Sequence, residues 1–113
     1  MKKIEAIIRQ EKLEELKVAL DNDLQTKGMT VMQVLGHGNQ KGVGEFVRGH
    51  QVIPTLLPKV MIWLVVEDSQ VEHTVQKISE VCYTGEVGDG KIFIYTIEEV
   101  IRIRTNQKNE EAI

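Results

Sequence analysis

The segment Thr84-Gly85-Glu86-Val87-Gly88-Asp89-Gly90-Lys91 places three glycines, two acids and a lysine directly ahead of the apolar run Ile92-Phe93-Ile94-Tyr95. Glycine lacks Cβ and takes φ > 0, so consecutive N–H groups can converge on an anion, and a terminal lysine adds a point charge. That is the chemistry of a phosphate cradle. Gly85 to Lys91 satisfies G-x-x-x-x-G-K, but Ile92 stands where a Ser or Thr would hold magnesium. A P-loop also follows a strand and opens a helix, whereas here a helical pattern precedes and a strand follows. The P-loop fold is rejected and the phosphate-binding chemistry kept. The same glycines also suit a plain helix-to-strand turn, and the segment alone does not choose.

Arg102 and Arg104 alternate in Ile101-Arg102-Ile103-Arg104-Thr105. A strand here would put both guanidiniums on one face, roughly 6.5–7 Å apart. That spacing suits adjacent phosphates, which arginine contacts in bidentate fashion. A solvated strand face is the plainer account of the pair alone; with the glycine segment, a polyphosphate ligand becomes the better reading. Gly36-His37-Gly38-Asn39-Gln40-Lys41-Gly42 packs amide and basic groups among glycines. Gln40 offers a neutral carbonyl oxygen to magnesium where phosphates complete the shell, although ordinary loop composition also accounts for this stretch. Lys59, beyond the loop, is a candidate for a carboxylate.

Other residues carry less. His37, His50 and His73 lack metal-ligand spacing. Cys82 is the only cysteine, which excludes an intrachain disulfide, and its helical position suits a small buried hydrophobe. Trp63 is expected in the core or at a subunit interface, and Glu14-Glu15 and Glu110-Glu111 as solvated charge. No Ser-His-Asp, Cys-His or paired-carboxylate arrangement is identifiable, so no catalytic residue is assigned and an enzyme is not expected.

These residues belong to a chain of 113, the size of one domain spanning 1–113. Such a chain buries roughly 60–65 % of its unfolded surface, and with one Trp, two Tyr and two Phe its core must be aliphatic. Oligomerisation would add buried surface. The net charge of −3, without a basic stripe, argues against nucleic acid. No run reaches 18 apolar residues, and the N-terminus lacks a signal-peptide core. A soluble, cytoplasmic protein is expected.

Periodicity orders the elements. Ile4, Ala6 and Ile8 alternate in a strand around 2–9; Leu13, Leu16, Leu20 and Leu24 share one face of a helix over 11–24. Met29–Leu35 reads as a second strand, 36–58 as a long loop without sustained period, and Val60–Val66 as a continuous apolar strand. Val71, Val75, Ile78 and Cys82 define a second helix capped by Asp68 or Ser69. Ile92–Tyr95 is a fourth strand, Val100–Ile103 a short fifth, and Asn106–Glu111 a polar, partly mobile tail. Two β-α-β halves predict an α+β, ferredoxin-like β-α-β-β-α-β fold with a long flexible loop over about 37–56 and a short extra C-terminal strand.

Together these segments resemble the PII signal-transduction family, the trimeric sensors of nitrogen status. The resemblance runs nearly end to end: MKKIEAII at the start, KGMTV at 27–31, G-x-G-x-QKG at 36–42, LPKV at 57–60, TGEVGDGKIF at 84–93, VIRIRT at 100–105 and the closing Glu-Glu-Ala-Ile. It implies a homotrimer with a T-loop at 37–56, a B-loop at 83–91 and a C-terminal segment at 102–113. It further implies ATP or ADP in each cleft between subunits. Gly88, Asp89, Gly90 and Lys91 would hold the phosphates, with Arg102 and Arg104 from the adjoining subunit. Gly28, Met29, Thr30 and Val65 would border the base, and Gly36 and Gly38 the phosphate side. Gln40 would ligate magnesium beside 2-oxoglutarate, whose site would include Arg9, Lys41, Gly42 and Lys59. Its partner would be an ammonium transporter or another nitrogen-linked transporter or enzyme, met through the T-loop and recruiting the protein to the membrane.

Two departures matter. The tyrosines of the family's E-L-Y-R-G-A-E-Y, the first of them uridylylated, correspond to Val47 and Val52, which have no hydroxyl to modify. Asn39 replaces the arginine that usually precedes the loop glutamine, removing a phosphate-side charge. The leading expectation is a non-enzymatic sensor. A weak nucleotide-hydrolysing enzyme, a regulator answering to adenylates alone and a purely structural trimer are the alternatives.

Overall fold

The computed structural model describes residues 1–24, 28–37, 45–47, 50–52 and 56–113, with the backbone alone for 23–24, 45–47 and 50–52. In order, the elements are β1 (Lys2–Ile8), α1 (Leu13–Leu24), β2 (Thr30–Gly36), β3 (Glu45–Val47), β4 (His50–Val52), β5 (Leu57–Val66), α2 (Val71–Cys82) and β6 (Lys91–Thr96). Four strands make one sheet in the order β2-β5-β1-β6, with every neighbouring pair antiparallel. The two helices are the crossovers of two β-α-β halves and pack on one face. This is the α+β, ferredoxin-like arrangement expected from the element order.

Alternation decides what is buried. In β1, Ile4, Ala6 and Ile8 face the helices, and in the neighbouring β5 so do Val60, Ile62, Leu64 and Val66. Leu16 and Leu20 of α1 and Ile78 and Cys82 of α2 close over them. Leu13, Val71 and Val75 pack at the margin of this cluster; the side chain of Leu24 lies outside the described residues. Thr74, fully buried on α2, donates its hydroxyl to Gln70 O at 2.7 Å, so a polar group enters the core already satisfied. Burial pushes the Cys82 thiol up to about 11, as a small core hydrophobe requires.

Among the described residues no helix covers the other face of the sheet. Ile7, Met61, Trp63 and Val65 are half-buried there, and Met32, Phe93 and Tyr95 are exposed. Lys3 lies 4.8 Å from the Trp63 ring centroid and 5.3 Å from that of Tyr95, while Tyr95 donates its hydroxyl to Glu5 at 3.0 Å. Trp63 therefore belongs to the open face and not to the core. No helix among the described residues is long and apolar enough to cross a membrane.

Several sequence-based expectations are corrected. The stretch read as loop over 36–58 contains the paired strands β3 and β4, and β5 begins at Leu57, three residues before the apolar run. Pro58 hid that start: it carries no N–H, but β1 pairs with β5 only from Val60 onward, so at Pro58 the strand has an open edge on that side. Helix α1 is preceded by a 3-10 turn over Gln10–Lys12, and α2 by another over Asp68–Gln70. Neither Asp68 nor Ser69 caps α2; the Asp68 carboxylate instead accepts from the Met1 ammonium at 2.8 Å.

The short fifth strand is reduced to one isolated bridge, Ile101 to Lys108. The segment bends back on itself through Asn106 and Asn109, both in the left-handed region that asparagine tolerates. Arg102 N donates to Gln107 O at 2.9 Å, Asn106 N to Arg102 O at 2.8 Å and Asn109 N to Val100 O at 2.8 Å. The tail is therefore folded, ending in a 3-10 turn over Asn109–Glu111. Ile103 is fully exposed, so Ile101 and Ile103 do not form an inner strand face opposite the arginines.

Ile62 stands at the centre of the buried face, and Ile62→Ala removes three carbons where the surroundings collapse only in part. A loss of about 2–5 kcal/mol of stability is expected, read as a lower denaturation midpoint in urea. An unchanged midpoint would contradict this assignment of the core.

Candidate functional site

The glycine segment joins α2 to β6, and its three glycines Gly85, Gly88 and Gly90 have φ of 86°, 107° and 99°. All three lie in the region that favours glycine. At Gly90 the requirement is also steric, because a Cβ there would stand 1.7 Å from Ile7 O on β1. The loop thus folds against the end of the sheet and delivers Lys91 to the first position of β6. Lys91 is exposed and has no hydrogen-bond or ion-pair partner among the described residues.

Asp89 organises this turn. Its carboxylate accepts from the Thr84 hydroxyl, from Thr84 N at 2.8 Å, from Gly85 N at 3.0 Å and from Arg9 Nε at 3.1 Å. The Thr84 hydroxyl, then the two N–H groups and Arg9, hold the Asp89 carboxyl well below the usual carboxylate range. The carboxylate is occupied inside the turn, so Asp89 has its backbone N–H to offer a phosphate.

Arg9 and Lys59, expected beside a dicarboxylate, converge on the same loop. Arg9 Nη2 donates to Val87 O at 2.8 Å and Lys59 Nζ to Gly88 O at 2.7 Å. Burial, then the charge of Arg9, lowers the Lys59 pKa from its ordinary value. Gly36 ends β2 nearby: a Cβ on it would lie 3.2 Å from Lys59 Cγ. Beside the loop a cleft of about 300 Å³ reaches in to Ile78 and Cys82 and is rimmed by Asp89, Gly90 and Lys91.

The remaining candidates lie elsewhere. Gly28, Met29 and Thr30 lead into β2 at one edge of the sheet, while Lys91 opens β6 at the other. With β5 and β1 between them, these groups are at least about 14 Å apart. Val65 is on the open face of β5, opposite Lys3. Arg102 is half-buried with Nη2 3.5 Å from Ala112 O and from Ile113 O, whereas Arg104 is exposed in a turn. They are not a strand-face pair, because no strand forms there. No hydrogen bond or ion pair among the described residues joins 98–113 to the glycine segment. Gly38, Asn39, Gln40, Lys41 and Gly42, together with the side chains of Val47 and Val52, lie outside the described residues.

Thr84 is the residue that sequence reasoning missed. Its signal was legible as a hydroxyl five residues before an aspartate across a glycine turn, the pattern of side chains that bond to their own backbone.

Gly90→Ala should collapse this arrangement, since the backbone of β1 and the loop cannot both keep their positions and the residue must also hold a positive φ. Accelerated amide exchange over 84–91 together with a lowered melting temperature is expected. Wild-type exchange in that loop would contradict the close approach.

Comparison with known proteins accords with this geometry. The family model described as nitrogen regulatory protein P-II matches residues 1–107. Proteins named nitrogen regulatory protein P-II from Pasteurella multocida (50 % identical) and Microchaete diplosiphon (52 % identical) align over the whole of both chains. A nitrogen regulatory protein P-II 1 from Methanothermobacter thermautotrophicus is 49 % identical over all of this chain and 97 % of its own. With the fold, the glycine segment and full-length similarity in agreement, the chain belongs to the nitrogen regulatory protein P-II family.

Proposed function

We propose that the protein is a non-enzymatic transducer of nitrogen status that binds ATP or ADP in clefts between its copies and controls partners through the loop at 37–56. The observation that carries this reading is the glycine segment: three positive-φ glycines beside Lys91, an exposed cation whose side chain has no partner among the described residues. A base flanked by Gly28, Met29 and Thr30 and phosphates held at Gly88–Lys91 belong to opposite sheet edges of one chain. Two copies meeting edge to edge would bring both groups onto one nucleotide. Apolar side chains exposed along those edges, Val31, Met32 and Leu35 on β2 and Phe93, Ile94 and Tyr95 on β6, support such a meeting. Arg102 and Arg104 would then approach the phosphates from the adjoining copy.

In this reading Gln40 ligates magnesium with the phosphates, and 2-oxoglutarate joins it with Lys59, Arg9, Lys41 and Gly42 at hand. Because Lys59 and Arg9 hold loop carbonyls, a dicarboxylate must compete with those contacts. Val47 and Val52 lack hydroxyls, so control passes through ligand occupancy and not through tyrosine modification at those positions. The protein would act in the cytoplasm and reach the membrane through a transporter partner. Hydrolysis is the weaker reading: the Asp89 carboxylate, which would have to position water, is bound by Thr84, Gly85 and Arg9.

Calorimetry tests the ligands. ATP and ADP should each bind, and 2-oxoglutarate should give heat only when ATP and magnesium are both present, since a dicarboxylate facing a triphosphate needs a bridging dication. Silence from both nucleotides at millimolar concentration would sink the sensor reading, and 2-oxoglutarate binding without nucleotide would refute the bridge.

Sedimentation equilibrium tests the assembly. Three chains of 12.8 kDa predict a species near 38 kDa. The number three is the family's, and the need for a second copy follows from the separated edges. A single species near 13 kDa would exclude a shared cleft.

A further inference from the structure

The contacts inside the glycine segment have a consequence for where its N–H groups point. Arg9 and Lys59 take the carbonyl oxygens of Val87 and Gly88 from the side of the sheet. In a trans peptide the carbonyl and the following N–H point in opposite directions, and none of the peptide bonds among the described residues is cis. The N–H groups of Gly88 and Asp89 are therefore turned away from the two cations. Among the described residues neither N–H donates to any acceptor. Two unpaired donors beside an uncommitted Lys91 make an anion nest whose orientation is set from behind.

The Thr84 hydroxyl ties the same turn crosswise. It donates to Asp89 Oδ1 and accepts from Glu86 N at 3.2 Å, so one oxygen links the start of the loop to its end. The Asp89 carboxylate then bonds Arg9, fastening the turn to the end of β1. We propose that Thr84, with Arg9 and Lys59 behind the loop, is a positioning residue that holds the N–H groups of Gly88 and Asp89 outward before any anion arrives. The inference rests on the nucleotide reading above for the identity of the anion, but not for the state of the loop. A pre-formed nest binds more tightly than a flexible one because less ordering remains to be done on binding.

Thr84→Val keeps the shape and removes the hydroxyl; Thr84→Ser keeps the hydroxyl. Two measurements on wild type and both variants decide the matter: amide exchange of the nucleotide-free protein, and ATP affinity with magnesium. For Thr84→Val, exchange at Gly85 and Glu86 should rise at least about tenfold, and the ATP Kd by about tenfold, the lower range for a hydrogen bond to a charged group. Strand amides such as Ile4 and Ile62 should exchange as before, which separates a loosened loop from a damaged fold. Thr84→Ser should restore both readouts to within about threefold. Asp89→Asn, a second variant that keeps the size and removes the charge, should follow Thr84→Val.

Unchanged loop exchange and Kd in Thr84→Val would overturn the proposal, as would a Thr84→Ser variant as impaired as the valine. If wild type binds no ATP, the nucleotide reading fails, and the exchange rates alone then uphold or refute the clamp.

Discussion

The close approach of Gly90 to the carbonyl of Ile7 is the contact on which the site depends. Strand β1 lies between β5 and β6, so its final residues hold the sheet together and also face the glycine segment. A backbone can lie that near another only without a Cβ, and the 1.7 Å separation for a hypothetical one leaves no compromise. Once the loop is seated there, Asp89 is within reach of Arg9 and the carbonyls of Val87 and Gly88 are within reach of Arg9 and Lys59. Core and site are in this sense one construction: Ile8 is buried among the helices while its neighbours Ile7 and Arg9 serve the loop.

Charge is arranged in two layers around that loop. Behind it, Arg9 pairs with the Asp89 carboxylate while Lys59 holds the Gly88 carbonyl, and partial burial makes the Lys59 charge harder to keep. In front, Lys91 is exposed with no partner among the described residues. Cations that organise backbone and a cation left for an approaching ligand have the same formal charge and opposite roles, and only their contacts tell them apart.

The sheet has one buried face and one open face, and the candidate residues at its two edges, Gly28, Met29 and Thr30 by β2 and Lys91 on β6, lie far apart in one chain. Exposed Met32, Phe93 and Tyr95 and half-buried Trp63 gather apolar surface on the open face.

The sequence by itself determined the order of the four sheet strands and two helices, the aliphatic faces and the family. Ile4, Ala6 and Ile8, or Val71, Val75, Ile78 and Cys82, report periods that hold wherever the chain is placed, and the glycine segment announced positive φ before any coordinate. The tertiary structure decided what depends on partners distant in the chain. Arg102 and Arg104 alternate like a strand, yet among the described residues the only bridge beside them joins Ile101 to Lys108, and the asparagines that follow turn the chain back. Arg9 and Lys59 read as cations for a dicarboxylate, and contacts 78 and 29 residues away along the chain engage them with carbonyls of the loop. Asp89 read as part of a phosphate cradle, and its carboxylate proved to be the knot of the turn. Periodicity is a local property that composition can encode, whereas the direction in which a side chain or an N–H points at a site is settled by whichever distant group reaches it first.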